Sequence, residues 1–173
     1  MSYFVVRGGA ELSGSVSVNG AKNSVLPILA ATLINAGENT LHNCPNLRDV
    51  DSAIKILKHL GCKVTREGST ITVNSRDIVR HDVPHDLMRE MRSSVIFLGP
   101  IIARCGRARL SFPGGCELGP RPIDLHLSAL QKLGVRITEA GGEILCEADS
   151  MHGREIVLRF PSVGAPENRI LAA

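Results

Sequence analysis

Residues 112–126 read Phe-Pro-Gly-Gly-Cys-Glu-Leu-Gly-Pro-Arg-Pro-Ile-Asp-Leu-His and put a thiol and a guanidinium on one loop. Gly114 and Gly115 bend the backbone where side chains do not fit, so the thiol of Cys116 stands out from the chain. Pro120 and Pro122 restrict the backbone on both sides of Arg121 and remove two amide donors. A thiol and a guanidinium aimed in this way suit an anionic substrate. The alternative is an ordinary tight turn that contains a cysteine. A second locus is Gly20-Ala21-Lys22-Asn23, at the start of a helix. A lysine there opposes the helix dipole and makes more sense beside an anion that the same helix end attracts; the alternative is a solvated lysine. Arg92 opens the matching helix further along. In the loop that follows Cys116, Asp124 reads as a substrate contact or a first-turn acid, and His126 as a substrate contact or a helix-surface histidine.

Other chemistries lack their residues. The histidines at 42, 59, 81, 85, 126 and 152 are scattered, and none pairs at ligand spacing with two more donors, so no metal is expected. His81 and His85 share a polar connector and read as solvated. Neither Gly-x-x-x-x-Gly-Lys-Ser/Thr nor Gly-x-Gly-x-x-Gly occurs, and no cofactor is expected. The net charge of +3 is mild and there are only five Phe and Tyr residues and no Trp, which argues against a nucleic-acid partner. The apolar runs Val25 to Ile34 and Val95 to Ala103 are too short to span a bilayer, so no membrane contact is expected. The N-terminus has no basic region followed by a long apolar stretch, which makes the cytoplasm the default location. Five cysteines, an odd number without Cys-x-x-Cys, argue against a disulfide framework. Cys44, Cys62, Cys105 and Cys146 read as small buried hydrophobes or bystanders.

The elements that must position these residues repeat. Leu57, Leu60, Gly61 and Val64 match Leu130, Leu133, Gly134 and Ile137, each 73 residues on, and Asp51 matches Asp124. Ser24, Gly37 and Leu41 match Ser93, Gly106 and Leu110, each 69 residues on. Each unit has an apolar helix (Asn23 to Asn35; Ser93 to Arg104) that ends before a glycine, Gly37 or Gly106. A strand follows (Thr40 to Asn43; Ala108 to Phe112), then an amphipathic helix (Arg48 to Leu60; Ile123 to Leu133). A hairpin closes each unit, turning near Glu67-Gly68 and Gly141-Gly142. The pattern predicts an α/β (α+β) fold of repeated β-α-β-α-β-β units. A third unit begins with a strand over Glu155 to Arg159 and the Ser162-Val163-Gly164 turn. Ile170-Leu171-Ala172-Ala173 then echoes Ile28-Leu29-Ala30-Ala31. The chain stops inside that helix, so the expectation is a fragment of a longer protein. Self-association through the incomplete core is a further expectation.

The combination Gly20-Ala21-Lys22-Asn23, Met91-Arg92, Gly99-Pro100, Pro113-Gly114-Gly115-Cys116, Arg121-Pro122-Ile123-Asp124-Leu125-His126 and Ser162-Val163-Gly164 resembles the UDP-N-acetylglucosamine 1-carboxyvinyltransferases, in their N-terminal part. These are enolpyruvyl transferases. The resemblance implies the family's inside-out α/β barrel, here truncated at the start of its third unit. Residues 21–173 would be an incomplete first domain, with units about 21–90 and 91–160 and a third begun at 161–173. Residues 1–20, with a strand near Val5 to Val18, would belong to an absent second domain. It also implies transfer of enolpyruvyl from phosphoenolpyruvate to the 3′-hydroxyl of UDP-N-acetylglucosamine with release of phosphate, the step that opens peptidoglycan synthesis. Cys116 would donate the proton, carry a covalent phosphoenolpyruvate adduct and be alkylated by fosfomycin. Lys22 and Arg121 would hold phosphate and carboxylate. Asn23 and Arg92 would lie at the substrates, and Arg121, Pro122, Ile123, Asp124, Leu125, Ser162, Val163 and Gly164 would contact the UDP-sugar. The general-base aspartate would lie in the absent domain. A truncated, non-catalytic relative that binds a UDP-sugar or a protein partner is the alternative.

Overall fold

The computed structural model describes residues 3–9, 11–91, 93–112 and 123–173. The first repeat runs α1 (Lys22–Ala31), β1 (Glu38–Leu41), α2 (Arg48–Leu60), β2 (Lys63–Glu67) and β3 (Thr70–Asn74). A connector carries β4 (Asp82–Val83) and α3 (His85–Glu90). The second repeat begins with a 3-10 turn at Ser94–Phe97 that runs into α4 (Leu98–Cys105). It continues with β5 (Arg107–Ser111), α5 (Asp124–Lys132), β6 (Arg136–Ala140) and β7 (Glu143–Glu147), and α6 (Gly164–Ile170) follows.

The two sheets are copies down to their register. Strands β1-β3-β2 lie side by side, antiparallel, as do β5-β7-β6. Leu41 faces Ile71 in the first sheet and Leu110 faces Ile144 in the second. Glu38 faces Asn74, and Arg107 faces Glu147. These are the pairs that the two sequence offsets relate. Alternation makes one face of each hairpin apolar: Ile71 and Val73 are buried, as are Ile144 and Cys146. A one-residue slip would turn that face to water, which fixes the register.

Helices fill the centre and the sheets lie outside them. α2 turns Val50, Ala53, Ile54, Leu57 and Leu60 inward and ends at Gly61, whose φ of 107° is left-handed. α1 packs on α2 and on the 3-10 turn, and α6 packs on α4, α5 and the same turn. Phe97, Leu98, Ile101 and Ile102 sit between them, and one apolar cluster spans both repeats. The buried Ser75 hydroxyl reaches the carbonyls of Thr32 and Asn35, backbone acceptors that the end of α1 leaves open.

The first helix and the third-unit strand differ from expectation. α1 stops at Ala31, six residues before Gly37, and a string of tight turns covers Leu33 and Ile34 instead. The connector that holds His81 and His85 also joins the second sheet: β4 pairs in parallel with β5, and the His81 carbonyl accepts from the Arg109 amide. Glu155 to Arg159 is not a strand. Its carbonyls at Ile156 and Val157 accept from the Arg169 and Lys132 side chains rather than from a neighbouring strand. Residues 5–9 and 11–18, which the resemblance pairs with an absent second domain, form no strand here. They meet no strand among the described residues, and a ladder needs a partner. Tyr3, Phe4, Val5, Val6, Leu12, Val16 and Val18 are exposed.

The burial of α2 leads to a prediction. Leu60 is fully buried, so Leu60→Ala should cost about 2–5 kcal/mol, read as a lower denaturant midpoint. Exposed Val163→Ala should change stability by no more than about 0.5 kcal/mol and leave the midpoint nearly unmoved. Equal effects at the two positions would contradict the packing described.

Candidate functional site

Lys22 is the first residue of α1 and sits in an exposed ion pair, its Nζ 2.9 Å from Oδ2 of Asp49 in the first turn of α2. The chain reaches this point through Gly20, where a Cβ would overlap the carbonyl of Asn43, so only glycine fits. Pro27 lies inside α1 and lacks the amide that would bond to the carbonyl of Asn23, whose side chain is exposed. An exposed pair contributes about 0–1 kcal/mol. The Lys22 ammonium is therefore held in place at little energetic cost if an anion competes for it. The anion expected beside it from the sequence is, in this structure, Asp49.

The second group of predicted residues gathers where α5 meets α6. Ile123 is buried, Asp124 and Leu125 are half-buried in the first turn of α5, and Asp124 pairs with Arg159. A cleft of about 310 Å³ runs between Asp124, Leu125, Ser128 and Lys132 on one side and residues 157–159 on the other. Across the helix, the ring of His126 lies against Gly164, and the Ser162 hydroxyl accepts from the Ala165 amide to hold the 162–164 turn. His126 is thus not a surface histidine. Burial pushes its pKa below the usual value, and Asp124 opposes that shift. Val163 is exposed at the tip of the turn. So the structure brings Asp124, Leu125, Ser162, Val163 and Gly164 around one helix pair. Lys22 and Asn23 start a helix that packs on the same 3-10 turn as α6. Cys116, Arg121, Pro122 and Arg92 lie outside the described residues.

The same point of the first repeat is built differently. The two sequence offsets differ by four residues between Leu110 and Asp124, so the second repeat has a longer loop there. In the first repeat that stretch holds Cys44, whose buried thiol contacts the carbonyl of Leu41. A cavity of about 450 Å³ adjoins it, but its one cation, Arg66, is bonded to Asp51 and to the carbonyls of Pro45 and Gly68. Sequence reasoning did not single out Asp49, Arg159 or Asn168. The first two are ordinary charged residues on other segments, and only folding brings them to Lys22 and Asp124. No group of His, Cys, Asp and Glu suited to a metal occurs among the described residues.

The chain matches the family described as EPSP synthase (3-phosphoshikimate 1-carboxyvinyltransferase) over residues 6–173. The chain belongs to the EPSP synthase family. Within that family it is similar to UDP-N-acetylglucosamine 1-carboxyvinyltransferase 2 of Caldanaerobacter subterraneus, at 55% identity over all 173 residues. It is also similar to UDP-N-acetylglucosamine 1-carboxyvinyltransferase 1 of Symbiobacterium thermophilum, at 48% identity over 98% of the chain. The chain spans 42% and 40% of the length of these relatives. Its fold matches the enolpyruvyl transferase NikO from Streptomyces tendae, with a TM-score of 0.80 at 24% identity over 95% of this chain and 39% of that one. It also matches an EPSP synthase from Acinetobacter baumannii, with a TM-score of 0.69 at 14% identity over 92% of this chain and 37% of that one. The α/β repeat fold of the enolpyruvyl transferases is therefore the fold of this chain. No helix among the described residues is long and apolar enough to cross a membrane.

The described thiols yield a prediction. Burial pushes Cys62 up to about 11 and Cys146 up to about 12, and it also raises Cys44 and the half-buried Cys105. A raised thiol pKa depletes the reactive thiolate at any lower pH; with a value near 11, about one thiol in a thousand is ionised at pH 8. Brief iodoacetamide treatment at pH 8 should leave Cys44, Cys62 and Cys146 unmodified in peptide mass maps and label all of them in denaturant. Fast labelling of Cys146 in the folded protein would contradict its burial.

Proposed function

We propose that the intact protein moves enolpyruvyl from phosphoenolpyruvate to the 3′-hydroxyl of UDP-N-acetylglucosamine and releases phosphate, the reaction that commits the sugar to peptidoglycan and cell-wall synthesis in the cytoplasm. The observation that carries this reading is the 55% identity, over the whole chain, to a relative named for that reaction. The net exchange breaks the bond from the enol oxygen-bearing carbon to the phosphate oxygen and forms one from that carbon to the sugar oxygen. The sugar hydroxyl loses its proton and the phosphate leaves. Cys116 gives a proton to the methylene carbon as the sugar oxygen adds, and the methyl group so formed loses a proton as phosphate leaves, which restores the vinyl group; a thiol with the reference pKa of about 8.5 is mostly protonated at neutral pH. Lys22 gives up Asp49 for the phosphate of phosphoenolpyruvate, and Arg121 holds its carboxylate, so that fixed cations face the charge of the reacting group. Asn23 and Arg92 lie beside them. Arg121, Pro122, Ile123, Asp124 and Leu125 line the UDP-sugar on one side, and Ser162, Val163 and Gly164 on the other. The proximity of α5 and the 162–164 turn supports that division.

The same reading assigns residues 21–90 and 91–160 to two units of a first domain, with a third unit from 161. Residues 1–20 pair with a second domain that also supplies the general base. The exposed apolar side chains between Tyr3 and Val18 support this, because they lack a cover among the described residues. In the 173 residues alone, a second copy would cover the incomplete core. The 173 residues alone lack that base and do not turn the sugar over.

Phosphate release by the intact protein should require both phosphoenolpyruvate and UDP-N-acetylglucosamine. Cys116→Ala should lose at least about 100-fold in kcat, the range expected for removing a positioned proton donor. Fosfomycin should add one adduct to the intact mass of the wild type and none to the variant. Full activity of Cys116→Ala would overturn the proton-donor role, and phosphate release without the UDP-sugar would overturn the reaction.

A further inference from the structure

Asn168 is fully buried, yet it is polar and lies on the short helix α6. Its side-chain oxygen accepts from the Gly99 amide at 2.6 Å. Its side-chain nitrogen lies 3.0 Å from the Val95 carbonyl and 3.2 Å from Nδ1 of His126. Donor and acceptor arithmetic leaves one arrangement. A backbone amide only donates, so the atom facing Gly99 must be Oδ1, which fixes the orientation of the Asn168 amide. Its Nδ2 then turns both hydrogens toward Val95 and His126. Nδ1 of His126 must therefore accept, and in a neutral imidazole the proton then sits on Nε2. The backbone is shaped around this set. A Cβ at Gly99 would overlap the carbonyl and side chain of Asn168. A Cβ at Gly164 would lie 3.0 Å from Cε1 and 3.2 Å from Nε2 of His126.

We infer that Asn168 is a positioning residue that locks His126 as the neutral Nε2–H tautomer, with the donor edge of the ring against the Gly164 backbone. The lock follows from hydrogen bonding alone; only its bearing on a UDP-sugar rests on the function proposed above. Protonating Nδ1 would set one N–H against another, so the lock also disfavours the imidazolium, in the same direction as burial. The charged groups on the elements around the ring are Asp124 and Lys132 on α5, Arg159 paired with Asp124, and Glu167 and Arg169 on α6. The segment 93–103, which supplies Val95 and Gly99, has no titratable side chain.

The test is a long-range proton–nitrogen correlation spectrum of the ligand-free intact protein, labelled with nitrogen-15 and titrated between pH 5 and 8. His126 should show a protonated Nε2 and an unprotonated Nδ1, with a midpoint below the usual histidine value. Asn168→Asp keeps the acceptor for Gly99 but removes both donors. It should move the proton to Nδ1 and raise the midpoint by about one pH unit or more. A wild-type His126 with its proton on Nδ1, or in rapid exchange between tautomers, overturns the inference whether or not the variant folds. An unchanged midpoint and tautomer in a folded Asn168→Asp protein also overturns it.

Discussion

The fold depends on burying helices that no single repeat covers by itself. α1 buries Val25, Leu26, Leu29 and Ala30 on one broad face and leaves Ile28 exposed on another. It is closed off by α2 of its own repeat and by the 3-10 turn of the next. α4 is covered in turn by β5 of its own repeat and by α6, which follows the second repeat. Hydrophobic burial therefore joins one repeat to the next, at roughly 1.5–3 kcal/mol for each large side chain enclosed. The sheets, with one apolar face each, form the outer layer.

That arrangement also decides where chemistry is possible. Residues at the ends of the central helices are held by rigid neighbours but remain accessible. Lys22 starts α1, Asp124 starts α5 and Gly164 starts α6. The repeat supplies the same scaffold twice, and the two copies differ where the second has four extra residues before Asp124. In the first copy the corresponding cysteine is buried and its neighbouring arginine is already bonded. The added loop carries Cys116 and Arg121, the residues proposed for the chemistry, and loops on rigid elements commonly carry function.

Much of the fold was legible in the sequence because the repeat compares the chain with itself. α2 runs from Arg48 to Leu60 as its apolar spacing and Gly61 predict, and the paired offsets anticipate the strand registers. The errors have physical causes. β4 is two residues long and α3 six, too short for periodicity to register. Alternation at Glu155 to Arg159 resembles a strand, but a strand also needs a neighbour, and there the carbonyls are taken by Arg169 and Lys132. Of the site, the structure brings Asp124 and Leu125 near the 162–164 turn, whereas the partners of these residues do not follow from the sequence pattern. Asp49, Arg159 and Asn168 lie between 27 and 42 residues from the groups they hold. A contact at that separation leaves no local signature in composition or spacing.

The central claim is that a nucleotide-sugar lies between the start of α5 and the 162–164 turn. Hydrogen–deuterium exchange of the intact protein, with and without UDP-N-acetylglucosamine, tests it most directly. The account predicts slower exchange in peptides covering residues 121–125 and 162–164, with little change around Asn43, Arg66 and Ser69. Protection confined to the latter cavity, or to neither region while the sugar is bound, would contradict it.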